Sequence, residues 1–237
     1  TAIAYNPKDK NLYATTRYEI TRLKDVDGDG RADVFENVND SWGVSGDYHE
    51  YAIGSRFDKN GDLWVTLCLT GSFSSQVPFR GWALRIKPDG TMVPTCSGIR
   101  SPGGIGFDAE GEAYYCDNQG PWHGACTLQH LVPGTFQGHP GGNIWYDLAP
   151  NMGPRPIDPI PEAFQGDRGR KDARPGGDPD RMVMERERIK QLIPPAVYLV
   201  HGKIGNSASA IICDTSGGKL GPFAKQLFAA DQSHSNL

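Results

Sequence analysis

A chain of 237 residues, 38% apolar and 22% charged, is long enough to bury a sizeable core and has the balance of an ordinary globular domain. Its net charge of -4 gives no basic field, so nothing in it points to nucleic acid or an anionic membrane surface as a partner, and with no run of eighteen apolar residues nothing in it spans a bilayer as a helix. Thirty glycines and eighteen prolines favour turns over helices.

The first predicted element is a strand, turn and strand over residues 2–15, in which Tyr5-Asn6-Pro7-Lys8-Asp9 turns into Leu12-Tyr13-Ala14-Thr15. Tyr18-Glu19-Ile20-Thr21 alternates as a third strand and runs into DVDGDGRADVFE, residues 25–36. Carboxylates at Asp25, Asp27 and Asp29, Gly30 at the sharp turn, a main-chain carbonyl expected at Arg31, then Asp33 and Glu36 match the spacing of an EF-hand calcium loop. A hard cation needs six to eight oxygens, and alternate residues of a tight loop can turn theirs inward. No helical pattern flanks the loop, so it reads as a calcium loop between strands, with a solvated Asp/Gly turn as the alternative.

The same plan recurs at residues 54–66, where Phe57-Asp58-Lys59-Asn60-Gly61 turns into Leu63-Trp64-Val65-Thr66. Gly81-Trp82-Ala83-Leu84-Arg85-Ile86 follows as a third strand, Lys87-Pro88-Asp89-Gly90 turns, and Thr91-Met92-Val93-Pro94 begins a fourth. A third copy, GGIGFDAEGEAYYCDN, occupies residues 103–118, with residues 127–132 as its third strand. Residues 138–195 are rich in Pro, Gly, Asp and Arg, with one helix candidate at residues 180–192; such an insertion covers a face, contacts a partner, or is a solvated excursion. A fourth copy pairs Ala210-Ile211-Ile212-Cys213-Asp214 with Gln226-Leu227-Phe228-Ala229.

From Tyr13 to Trp64 is 51 residues, from Trp64 to Tyr114 is 50, and from Tyr114 to Phe228 is 114. Two near-equal steps and one of double length mark a repeat array with one large insertion, and a period of about 50 built from strands predicts an all-β β-propeller. The expectation is a partial propeller over residues 1–237, about four blades of a ring that has six when complete, because both ends of the sequence are abrupt. The five cysteines form neither a C-x-x-C pair nor a haem attachment motif. Cys116 and Cys126 read either as a disulfide or as two buried thiols.

Five stretches in order carry a resemblance: the loop DVDGDGRAD; His49 before the second repeat; Gly98-Ile99-Arg100-Ser101-Pro102; DNQGPWHGACTLQHLVPGTFQGHP; and IGNSASAIICD with LGPFAKQLFAADQSHS. Together they resemble the glucose/sorbosone dehydrogenase-type propellers, in the branch abundant in planctomycetes, verrucomicrobia and their relatives. That resemblance implies pyrroloquinoline quinone held with calcium over one face, with a histidine taking the substrate hydroxyl proton. His49 falls at the base, Arg100 at a cofactor contact and Lys203 at an anion contact. Asn118, Gln119, Trp122, His123 and Gln232 are the further cofactor-binding candidates on the same mouth, since propellers gather one set of turns there. Three positions depart from the family: Tyr48 replaces an acid, Ser101 replaces Asn, and Gly54 lies two residues further from His49.

Two functions of different class follow. One is a periplasmic or secreted quinoprotein that oxidises a sugar or alcohol and passes electrons to a cytochrome c. The other is a non-catalytic, calcium-stabilised propeller serving as an interaction module in a larger, haem-carrying protein.

Overall fold

The first three hairpins read from the sequence each open a larger sheet, and the fourth is a sheet of its own. The structure, a computed structural model, describes residues 2–120, 123–157, 182, 185–235 and 237. The first sheet runs β1 (Ala2–Asn6), β2 (Asn11–Thr15), β3 (Ile20–Lys24) and β4 (Val34–Asn39), each strand antiparallel to its neighbour. The second runs β5 (Ala52–Phe57), β6 (Leu63–Leu67), β7 (Trp82–Ile86) and β8 (Met92–Ser97). The third begins with β9 (Pro102–Phe107), β10 (Ala113–Asp117) and β11 (Cys126–His130). A short β12 (Thr135–Phe136) then returns to the second sheet, parallel to β8, before β13 (Val197–Leu199) completes the third. The fourth sheet consists of β14 (Ala208–Cys213) and β15 (Leu227–Asp231). The first strands β1, β5, β9 and β14 touch in series, so the sheets stand as consecutive blades, none of them closed on itself.

The turns explain why the repeat is legible. Oδ1 of Asp58 accepts the N–H groups of Asn60, Gly61 and Asp62 at 2.8 to 3.0 Å, and Oδ1 of Asp108 accepts those of Glu110 and Glu112. Gly61 and Gly111 complete these turns at φ 94° and 90°, a region that side chains with a Cβ resist.

The second-strand aromatics seal the joints between blades. Tyr13 meets Phe57 edge-on at 5.0 Å, and Trp64 meets Phe107 edge-on at 6.2 Å. Ala4, Tyr13 and Ile20 of the first blade pack with Leu63, Val65, Trp82 and Ile86 of the second, and Trp64, Ala83 and Cys96 pack with Ile105, Tyr115 and Leu131 of the third.

The insertion starts as core, not as a solvated excursion. A 3₁₀ segment at Pro140–Leu148 and a second at Pro150–Met152 bury Tyr146, Ala149 and Met152 against the first and second blades. Tyr146 Oη lies 2.7 Å from Ser97 Oγ, and burial pushes that phenol up to about 12. Of the expected helix, Met182 and Glu185 are helical and residues 186–188 form a turn, while residues 180, 181, 183 and 184 lie outside the described residues. Phe136, Met182, Ile189 and Leu192 form a small cluster that ties this part of the insertion to β12. All five cysteines are free, and burial pushes the Cys116 thiol up to about 12, so Cys116 and Cys126 are buried thiols on adjacent strands.

Candidate functional site

The loops after the second and fourth strands of each blade share one face. On that face Asp47 Oδ1 accepts the N–H of Gly71 at 3.1 Å, the Leu69 N–H donates to Arg100 O, and the Arg100 guanidinium donates to Gln119 O at 2.8 Å. The turns after first strands share the opposite face, where Lys8 Nζ donates to Asn60 O at 2.7 Å.

His49 stands at the rim of the first face, half-buried. Its N–H donates to Asp47 Oδ1 at 2.8 Å, its carbonyl accepts Tyr51 N–H, and its ring lies 3.9 Å from that of Tyr48. The imidazole nitrogens have no hydrogen-bond partner among the described residues. The supporting loop is rigid for a reason the sequence does not advertise. Glu50, fully buried, accepts the N–H and hydroxyl of Ser45 and the Thr70 hydroxyl, while Arg80, also fully buried, donates to the carbonyls of Arg17, Gly43, Glu50 and Tyr51. Burial holds the Arg80 guanidinium down to about 10, and the Glu50 carboxylate partly offsets this.

Arg100 and His123 are buried beneath this face. Arg100 is 8% exposed, and Nη1 donates to the carbonyls of Asn118 and Gln119; a Cβ on Gly120 would lie 2.0 Å from its guanidinium carbon. Asp117, fully buried, accepts the N–H of Arg100 at 2.9 Å, that of Ser101 at 2.7 Å and the Tyr115 hydroxyl at 3.1 Å. Asp231 repeats the device in the fourth blade, taking the N–H groups of Asn206, Ser207 and His234. His123 is 1% exposed, with Nδ1 3.9 Å from Asp117 and 3.4 Å from the Gln129 amide. Burial lowers its pKa against the pull of Asp117.

The remaining candidates are more open. Asn118 and Gln119 are half-buried, with the Asn118 amide donating to Ser101 O at 2.9 Å. Lys203 and Gln232 are exposed, the Gln232 N–H bonding Ser207 O. Trp122 lies outside the described residues.

The acidic loop joins β3 to β4 on the opposite face. Carboxylate oxygens of Asp25, Asp27 and Asp29 lie within 4.8 Å of one another, all exposed. Asp25 accepts the N–H groups of Gly28 and Gly30, glycines at φ 81° and 85°, and Asp33 accepts that of Val26. Glu36 stands apart from this group: it lies on β4 opposite Arg22 and is paired with Arg22 and Lys24.

Sequence reasoning missed Asp47, Glu50 and Arg80, and took Asp117 only as the start of a loop at the mouth. A signal existed for Asp117, since Cys116-Asp117-Asn118 and Ala230-Asp231-Gln232 both place an acid where a second strand ends. Glu50 and Arg80 carry no such mark.

No protein-family profile and no curated protein matches the chain. Solved structures do. A glucose dehydrogenase aligns at TM-score 0.61 and 15% identity, over 98% of this chain and 66% of its own. The PQQ-bound aldose sugar dehydrogenase from Streptomyces coelicolor aligns at 0.52 and 13%, over 99% and 68%. A Trichoderma reesei carbohydrate-active enzyme of family AA12 aligns at 0.58 and 12%, over 92% and 59%. At such identity the likeness is one of fold: this chain has the sugar-dehydrogenase type of propeller architecture, and it spans about two thirds of the first of these neighbours. No described helix is long and apolar enough to cross a membrane.

Proposed function

We propose that the chain is the greater part of a quinone-dependent oxidoreductase acting on a sugar or related alcohol, with His49 as the base that takes the hydroxyl proton. One observation carries the proposal: a half-exposed imidazole without a hydrogen-bond partner among the described residues, its backbone pinned by Asp47, on a face that adjoins the loop of Asn118 and Gln119. An imidazole placed at a substrate hydroxyl suits proton abstraction, a role worth about 10²- to 10⁴-fold in rate. The donor set fits a planar anionic quinone in kind, since the Lys203 ammonium and the Gln119 and Gln232 amides are open donors for its carboxylates. Arg100, whose guanidinium donates to the Asn118 and Gln119 carbonyls, would act on the cofactor by shaping that loop from below. When bound, the quinone would supply the hydride acceptor. His49 would hold the proton, and Asp47 would fix where that imidazole stands. The Asp25, Asp27 and Asp29 loop would hold a structural calcium ion, remote from His49 on the other face.

The inward placement of Arg100 and His123 favours a second reading, a calcium-stabilised binding module without chemistry. The two separate on one experiment: reconstitution with pyrroloquinoline quinone and calcium, followed by dye reduction across sugars and alcohols. Saturable quinone binding with substrate-dependent reduction supports the oxidoreductase. Failure to bind the quinone leaves the module.

A further inference from the structure

The series of blades has two end faces, and each carries half of the joint found inside it. At the joint between the first and second blades, Phe57, Leu63, Ile86 and Met92 stand opposite one another, one on each strand of the second sheet. Leu63 and Ile86 are 2% exposed, and the row clusters with Ala4, Tyr13 and Ile20 of the first blade. The first blade repeats this row on its outer face as Tyr5, Leu12, Leu23 and Phe35, again one to a strand and in register. The match extends into the turn: Asn6 Oδ1 accepts the Lys8 N–H as Asp58 Oδ1 accepts that of Asn60. Yet the outer row lies open, with Tyr5 56%, Leu12 44% and Phe35 67% exposed.

The fourth blade presents the other half. Ile211 is turned toward the third blade, where its side chain crowds Gly106, so the next residue, Ile212, and its partner Phe228 face away. Ile212 is 65% exposed, and the Phe228 ring is met edge-on by Phe223 at 5.5 Å. Phe228 holds the second-strand position of Tyr13 and Trp64, the rings that meet Phe57 and Phe107 of the following blade. Tyr5 holds the position of Phe57 and Phe107. One end face offers the ring that inserts, and the other offers the ring that receives it.

Contiguous apolar surface of this kind marks an interface, since each Å² left in water costs about 25 cal/mol. The two faces are unlike and complementary, so the occupant each fits is the other, carried by a second molecule. We propose that copies of this chain associate head to tail, the face of Ile212 and Phe228 on one copy covering the row of Tyr5, Leu12, Leu23 and Phe35 on the next. Such a contact is heterologous: a dimer keeps one open face of each kind, and association continues beyond two copies as concentration rises. Two first-blade faces meeting each other would stop at two. Neither face includes His49 or the Asn118–Gln119 loop, so the association stands apart from the oxidoreductase reading.

Sedimentation velocity of the 237-residue chain over about 1 to 100 µM reads the association. The wild type should pass from a 25.8 kDa monomer to dimers and larger species. Tyr5→Lys, Phe35→Lys and Ile212→Lys each alter an exposed side chain, so they should keep the wild-type circular dichroism and weaken association about 10-fold or more. An equimolar mixture of Tyr5→Lys and Ile212→Lys retains one intact face of each kind and should form a dimer that grows no further; Phe35→Lys replaces Tyr5→Lys if that variant loses its fold. A wild type that stays monomeric throughout overturns the proposal. A dimer that survives Ile212→Lys but not Phe35→Lys also overturns it, because two first-blade faces then meet. So does a mixture that stays monomeric while the wild type associates.

Discussion

Acidification from pH 7.5 to 5.5 will destabilise the fold through two imidazoles. His123 and His139 are each 1% exposed, and burial is the main cause that lowers both pKa values. The Asp117 carboxylate opposes the shift at His123, whereas the neighbouring His123 and Arg100 deepen it at His139. Above about pH 6.5 neither the folded nor the unfolded chain protonates these groups, and they have no effect on stability. Below it the unfolded chain takes up protons that the folded chain refuses, so stability falls. One histidine that stays neutral in the fold loses about 1.4 kcal/mol at one pH unit below its unfolded pKa, which sets an upper bound of about 2.8 kcal/mol for the pair at pH 5.5. The carboxylates whose pKa values are lowered, Asp47 and Asp231 among them, titrate at more acid pH and contribute little in this window. Urea denaturation at the two pH values should show most of this loss in the wild type and little of it in His123→Asn/His139→Asn. An equal loss in both proteins would refute the argument that these imidazoles are locked neutral.

Three further outcomes follow from single contacts. Asp117→Ala leaves two backbone N–H groups and a phenol without their acceptor inside the protein, and should cost about 3 to 5 kcal/mol in urea denaturation. Gly103→Ala puts a Cβ 1.8 Å from Ala208 O, so the joint between the third and fourth blades must open, and hydrogen exchange of β14 and β15 should rise well before that of β6 and β7. Calorimetry should detect one calcium ion per chain, lost on Asp27→Ala and retained on Glu36→Gln, because Glu36 is engaged by Arg22 and Lys24.

The blades were legible because their signals are local. An Asp-led turn, a glycine at positive φ and an aromatic at fixed spacing sit within ten residues of one another, and the aromatic then faces the next blade as Tyr13 and Trp64 do. The fourth copy, with its longer turn, was found by the same aromatic. The role of the insertion stayed open in the sequence because Tyr146 and Met152 reach a core built some fifty to a hundred and fifty residues earlier, a contact that composition does not encode. The site shows the same divide. His49 was singled out by its place before a repeat, and the structure leaves its imidazole half-buried with no hydrogen-bond partner among the described residues. Arg100 and His123 were singled out by the stretches that carry the resemblance and by where propeller turns gather, and the structure shows both buried, Arg100 donating to the Asn118 and Gln119 carbonyls and His123 beside the Asp117 carboxylate. A cation and a carbonyl far apart in sequence give no pattern to read, and for that reason Arg80, with four such carbonyls, was missed altogether.

The measurement closest to the central claim is sugar-dependent dye reduction by the calcium- and quinone-loaded protein, wild type against His49→Ala, with quinone affinity determined for both. A base that takes the hydroxyl proton predicts a loss of about 10²- to 10⁴-fold in kcat with quinone affinity within a few-fold of the wild type. Turnover in His49→Ala equal to that of the wild type would contradict the assignment.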